Sequence, residues 1–231
     1  MSVFRDTTLK CPSCGTDVAF NAVYSVNIDR RADLREAVLN ESFQRQECPN
    51  CKHNFRLAPD LNYLDVGRGQ WFAAHPIDDL GRWQEIEQHD REMFDRAYGA
   101  GAAPPAREIG AGLRPRITFG WAGLREKILA AELGLDDVVL ECAKIAILRS
   151  LEGAPMRDDT EMRLVDQAGG MLVFAWIGLA TEEVVETVQV PRDLCDEIAA
   201  APEAWADLRA QLSAGLYVDM NRLLVESAAA G

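Results

Sequence analysis

The chain has 231 residues, of which 48% are hydrophobic and 26% charged, and a formal net charge of −13 at pH 7. That is enough apolar material for one large or two small packed domains, and it excludes a disordered chain. Residues 1–60 carry eight basic and eight acidic side chains, so the whole acidic excess lies beyond residue 60, where it argues against a phosphate-binding footprint.

The opening stretch, MSVFRDTTLK, contains no apolar signal segment, and the longest apolar run, Gly170–Ala180, is far shorter than the roughly 20 residues a membrane helix needs. A cytoplasmic protein in a reducing compartment is expected. There, paired cysteines bind metal and single ones fill cores. The pairs follow at once: CPSCG at Cys11–Gly15 and CPNC at Cys48–Cys51, separated by 33 residues. Each Cys-x-x-Cys turn can aim two sulfurs at one point, and two such knuckles supply the four thiolates of a tetrahedral site. Pro12 and Pro49 fix φ after the first Cys of each pair. Gly15 follows the first pair, where positive φ is often needed, while the second pair has Lys52 in that place.

Between the knuckles, Val18–Ile28 has strand composition, Leu34–Leu39 reads as a short helix with Asp33 as its N-cap, and Phe43–Glu47 returns as a strand. Phe55–Leu57, Tyr63–Val66 and Gln70–Ala73 read as short strands, the last two joined by a Gly67-Arg68-Gly69 turn. Asp78–Tyr98 has helical spacing with a wide charged face. Gly99–Gly112, rich in Gly, Ala and Pro, reads as a linker.

Beyond it, Arg116–Phe119 reads as a strand leading into a helix over Trp121–Leu133. Asp136 and Asp137 then cap a second helix whose run from Val138 to Leu151 is apolar enough to be central. Three strands follow at Glu161–Asp166, Met171–Ile177 and Val184–Val190, with a hairpin turn at Gln167–Gly170. Pro191 suits the first position of a helix through Ala200. From Pro202 onward, Trp205, Leu208, Leu212, Leu216, Tyr217, Met220, Leu223 and Leu224 recur at helical spacing, and Gly215 either splits this helix or marks a close approach. The expected fold class is α+β: a β-rich zinc ribbon, then a small antiparallel sheet packed with helices. The expected boundaries are 1–98 for the ribbon and its trailing helix, 99–113 for the linker and 114–231 for the C-terminal domain.

The knuckle pair, the LREAVLN segment, CPNCKHNF and the hairpin ending at Pro76 resemble the bacterial CpXC domain, and Arg116–Arg149 looks like the C-terminal extension of longer members. The chain departs from that pattern at Lys52 and at NYLDVGRG, where relatives often carry Tyr-His-Asp. The resemblance implies a zinc-ribbon fold and no activity.

Cys11, Cys14, Cys48 and Cys51 are the candidate metal ligands. Four thiolates close the coordination shell, whereas a catalytic zinc keeps an open position, so a structural zinc ion is expected. A rubredoxin-like iron site is the second candidate, and dithiol redox chemistry the third. His53 could replace a ligand but, with four cysteines available, reads as a donor beside the metal shell or a surface residue; His75 and His89 carry no nucleophile or carboxylate partner indicated by spacing. Cys142 reads as core filler, and Cys195 is left open. No phosphate loop, nucleophile elbow or His-Glu metal motif is present, so no catalytic or cofactor-binding residue is assigned.

The expected role is a non-catalytic, zinc-stabilised binding or assembly module with an unidentified protein partner. Self-association into a homodimer is expected through the apolar stripe after Trp205. Nucleic-acid binding is not expected. A nucleic-acid regulator reading through the ribbon is the alternative, and it needs a basic face formed by Arg30, Arg31, Arg35, Arg45, Lys52 and Arg56. An enzyme with a site between the domains is the third hypothesis.

Overall fold

A computed structural model describes residues 2–152, 157 and 159–223. It divides into two compact units, one of residues 1–76 and 89–121, the other of residues 77–88 and 122–231. The fold class is α+β.

The first unit is built on a five-stranded mixed sheet. Its strands are β1 (Val3–Lys10), β2 (Asp17–Asn27), β5 (Leu61–Asp65), β6 (Gln70–His75) and β7 (Arg114–Phe119), adjacent in that order. Val18, Phe20 and Ala22 alternate with exposed neighbours along β2, the period-2 pattern of a half-buried strand. Between β2 and β5 the chain forms helix α1 (Ala32–Leu39) and a separate two-stranded sheet of β3 (Arg45–Glu47) and β4 (Asn54–Arg56). The helix occurs where the sequence predicts it, but its N-cap is Arg31. Asp33 lies in the first turn and receives two hydrogen bonds from the Arg31 guanidinium, at 2.8 and 2.7 Å. A bidentate charged pair has taken the side chain that capping would have used.

The structure redraws the expected linker. Residues 99–113 include helix α3 (Pro104–Ala111), started by proline in its first turn. The strand after it, β7, pairs with β6 in parallel, from Gln70 opposite Arg114 to His75 opposite Phe119. Parallel neighbours cannot be joined by a tight turn and need a long crossover. Helices α2 (Trp83–Tyr98) and α3 lie within that crossover, so the Gly/Ala/Pro stretch sits inside a sheet connection and β7 belongs to the first unit.

In the second unit, helices α4 (Gly120–Glu132, from residue 122 on) and α5 (Asp137–Ser150) precede the antiparallel strands β8 (Thr160–Ala168), β9 (Met171–Gly178) and β10 (Val184–Pro191), with β9 central. Asp136 caps α5 as expected, accepting from Val138 N at 3.0 Å and Val139 N at 3.1 Å. Val139, Leu140, Cys142, Ala143 and Ile147 of α5 pack with Leu164, Leu172, Phe174 and Trp176 of the sheet. Cys195, on α6 (Asp193–Ala200), joins the same core. Pro191 closes β10 instead of opening α6.

The apolar stripe after Trp205 does not form one long helix. A 3₁₀ turn at Pro202–Trp205 leads into α7 (Ala206–Leu212), and an irregular segment follows. A Cβ on Gly215 would collide with the Glu87 carboxylate, which accepts from Tyr217 N at 2.8 Å, so the chain breaks where a carboxylate needs room. Leu212, Tyr217 and Met220 are buried, and the surplus of apolar helical surface that motivates self-association is used inside the chain at these positions. Leu224 lies outside the described residues.

The same segment enters a buried charged network that the sequence does not announce. Lys144 Nζ lies 2.7 Å from Glu126 and 3.0 Å from Glu141. Arg163 Nη1 reaches Glu126 at 2.9 Å and Asp219 at 2.5 Å, and its other arm pairs with Glu161. Glu126 also accepts from Leu164 N at 2.6 Å, Glu141 from Met220 N at 3.0 Å, and Lys127 donates to the Val218 carbonyl at 2.5 Å. Glu126, Glu141 and Asp219 bring carboxylate oxygens within 4.8 Å of one another, but Lys144 already pairs with the two glutamates and Arg163 with Asp219.

Candidate metal centre

Each knuckle is a turn at the end of an antiparallel strand pair, and the two turns are built alike. In the first, between β1 and β2, Gly15 N donates to Cys11 O at 2.9 Å and Cys11 N to Thr16 O at 2.9 Å. In the second, between β3 and β4, Lys52 N donates to Cys48 O at 3.0 Å and Cys48 N to His53 O at 2.9 Å. Gly15 has φ +72° and Lys52 φ +63°. The departure seen in the sequence is therefore one of residue type, with the left-handed geometry kept at the cost of a strained lysine.

The four sulfurs converge. Cys11 Sγ lies 3.6 Å from Cys51 Sγ, Cys14 Sγ lies 3.6 Å from Cys48 Sγ, and all four fall within 4.8 Å of one another. A tetrahedron with Zn–S bonds of about 2.3 Å has edges of about 3.8 Å, so the set has the dimensions of a four-thiolate site. Cys11 and Cys48, the first of each pair, are buried, and Cys14 and Cys51 are exposed.

Two residues not singled out in the sequence support this cluster. Thr16 Oγ1 lies 3.3 Å from Cys14 Sγ, and Asn50 Nδ2 donates to the same sulfur at 3.6 Å. Hydrogen bonding from Thr16, then from Asn50, lowers the Cys14 thiol to about 5. Cys51 receives a hydrogen bond from the His53 backbone, which lowers it, but desolvation and the neighbouring thiols outweigh this and push it up to about 11. The two shifts run in opposite directions, as expected where thiols crowd together and one negative charge disfavours the next. Position in the knuckle gives no sequence signal for this beyond hydroxyl and amide residues beside the cysteines.

The β3–β4 pair carrying the second knuckle is too short to support itself. It is pinned by Trp121, whose Nε1 donates to Leu57 O at 2.8 Å, whose ring meets Phe43 edge-on at 5.4 Å, and which Arg56 covers at 4.3 Å. His53 is exposed and stacks on Phe55, and it is absent from the sulfur cluster. His75 corrects its sequence reading. It has a carboxylate partner, Asp90, at 2.6 Å, brought from α2 by the crossover. Cys142 and Cys195 lie buried in the second unit's core, and burial pushes each thiol up to about 11. Both are packing residues.

No helix among the described residues is long and apolar enough to cross a membrane. Comparison with curated proteins and with solved structures finds no match. The family profile described as CpXC protein matches residues 9–144, more than half of the chain, from just before the first knuckle into α5. With the two matched knuckles and their converging sulfurs, this chain belongs to the CpXC family.

Proposed function

We propose that Cys11, Cys14, Cys48 and Cys51 hold one structural zinc ion and that the protein is a non-catalytic binding or assembly module. The observation that carries this is the convergence of four sulfurs from two like-built turns. Four thiolates leave no position for water or substrate, which suits a structural role. Zinc is favoured over iron by its affinity for closed thiolate sets in stabilising folds, though the geometry suits both.

The charge arrangement supports a partner other than nucleic acid. Arg31 is held by Asp33, Lys52 lies 3.3 Å from Glu47, Arg45 donates to Glu41 O and Arg56 to Phe43 O, while Arg35 is buried. Five of the six cations that a reading face would need are engaged or buried within the unit, leaving Arg30 exposed, and phosphate neutralisation supplies most nucleic-acid affinity.

Elemental analysis of protein purified without added metal tests the metal assignment. One zinc per chain is the expected result. A red protein with thiolate-to-iron absorption, or a metal-free protein with titratable thiols and an intact knuckle region, would overturn it.

A further inference from the structure

Strand β10 is an outer strand of its sheet, and among the described residues nothing pairs with its free side. Such an edge is a row of unpaired N–H and C=O groups, which soluble proteins commonly blunt with lysine. No lysine occurs after Lys144 in this chain, and VVETVQV carries a single charge, Glu186. A bulge lies between Val184 and Glu186, so the regular ladder with β9 runs from Glu186 to Pro191. Val184 and Val185, beside that bulge, are 56% and 48% exposed, the most open of the large hydrophobic side chains among the described residues.

A second observation lies at the other end of the strand. An open groove of about 420 Å³ is floored by Ala146 and Ile147 of α5, Val190 of β10 and Leu194 of α6, with Asp193 and Glu197 on its rim. Val190 belongs to both the free edge and the groove. The exposed charges around them are acidic: Glu183, Glu186, Asp193 and Glu197. The neighbouring cation, Arg192, is directed to Gln167 at 2.9 Å and to Leu133 O at 2.6 Å.

We propose that the β10 edge and this groove dock an extended segment of another protein, added to the sheet as a fourth strand. Main-chain hydrogen bonds to β10 give such a strand its affinity, and pockets for alternate side chains give it selectivity. An apolar side chain fills the groove, and a lysine or arginine of the segment faces Asp193 and Glu197. Two-fold pairing of β10 with itself would bring a second set of the same acids to one edge, so charge selects a basic partner over another copy. The proposal gives the binding-module reading its surface and rests on that reading for its role; it is independent of the metal, so peptide binding by a zinc-free protein and zinc content without peptide binding tell the two apart.

The probe is the acetylated, amidated heptapeptide Lys-Val-Thr-Val-Thr-Val-Lys, with its Glu-flanked counterpart as control, titrated into the isotope-labelled full chain and followed by NMR amide shifts. The lysine peptide is expected to bind with Kd below about 1 mM. It should slow hydrogen exchange at Glu186–Val190, and the glutamate peptide should bind at least about tenfold more weakly. D193K/E197K, both exposed sites, should reverse that preference and report a folded protein by its circular dichroism. Absence of binding up to about 1 mM, equal binding of both peptides, or concentration-dependent self-association protecting the same amides would overturn the proposal.

Discussion

Around the knuckles the buried apolar material is thin: Cys11, Val18 and Cys48, with Phe55 packed against them. In the second unit, α5 lies on the sheet with a continuous apolar core, and a further set of buried charges joins α4, α5, β8 and the segment around Asp219. One region is organised around four converging cysteines able to hold a cation, while the other contains its own cations. The comparison teaches that a polar cluster stabilises only if its charges are matched. In the second unit, Lys127, Lys144 and Arg163 do this from within, and in the first the proposed metal ion would supply the match.

The largest expected effect follows from removing that match. Cys48→Ser or chelation should unfold β3, β4 and both knuckles, because binding of a structural zinc is coupled to folding and is worth about 10–16 kcal/mol in zinc-finger peptides. Amides of β8–β10 should keep their protection from hydrogen exchange. Loss of protection in both units together would show that the stabilities are not separate.

Within the second unit, Glu126→Gln should cost about 3–5 kcal/mol in denaturant unfolding, since it strips charge from a carboxylate shared by Lys144 and Arg163. Glu161→Gln should cost under about 1 kcal/mol. Burial raises Glu161, and the Arg163 partner does not fully offset this, so its ionised form is a weak contributor near neutral pH. Equal losses for the two variants would contradict the idea that matching, not the number of ion pairs, decides stability.

Acid should separate the groups further. Burial alone would raise Asp219, but Arg163, Lys144 and Lys127 outweigh it and hold the carboxyl at about 2, against an ordinary 3.8. A depressed carboxyl contributes stability that is complete above its unfolded value and is lost as pH falls from about 4 through about 2, here about 2 kcal/mol. Asp219→Asn should flatten that part of the stability profile. An unchanged slope over this window would assign acid sensitivity to other groups.

The smallest effect concerns the knuckle turn itself. Lys52→Gly should stabilise the second knuckle by up to about 1 kcal/mol, by relieving a non-glycine residue at positive φ. The gain is reduced by loss of the exposed Glu47 contact and by the freer unfolded chain. Thermal melts with zinc saturating would read it, and a lower midpoint would show that the lysine contributes more than its strain removes.

The parts legible in the sequence were those set by local chemistry. Cys-x-x-Cys turns, the Asp136 cap, the glycine hairpin after Tyr63 and the strand stretches that become β8 to β10 each depend on residues close together in the chain. The tertiary structure decided whatever required distant residues to meet. It placed β7 beside β6, which turned an apparent linker into a crossover, and it gave His75 the carboxylate of Asp90. It also drew a charged network from two helices, a strand and the irregular segment after Gly215. Periodicity records which face of an element is apolar, but a buried glutamate and a solvated one look alike until folding chooses their neighbours.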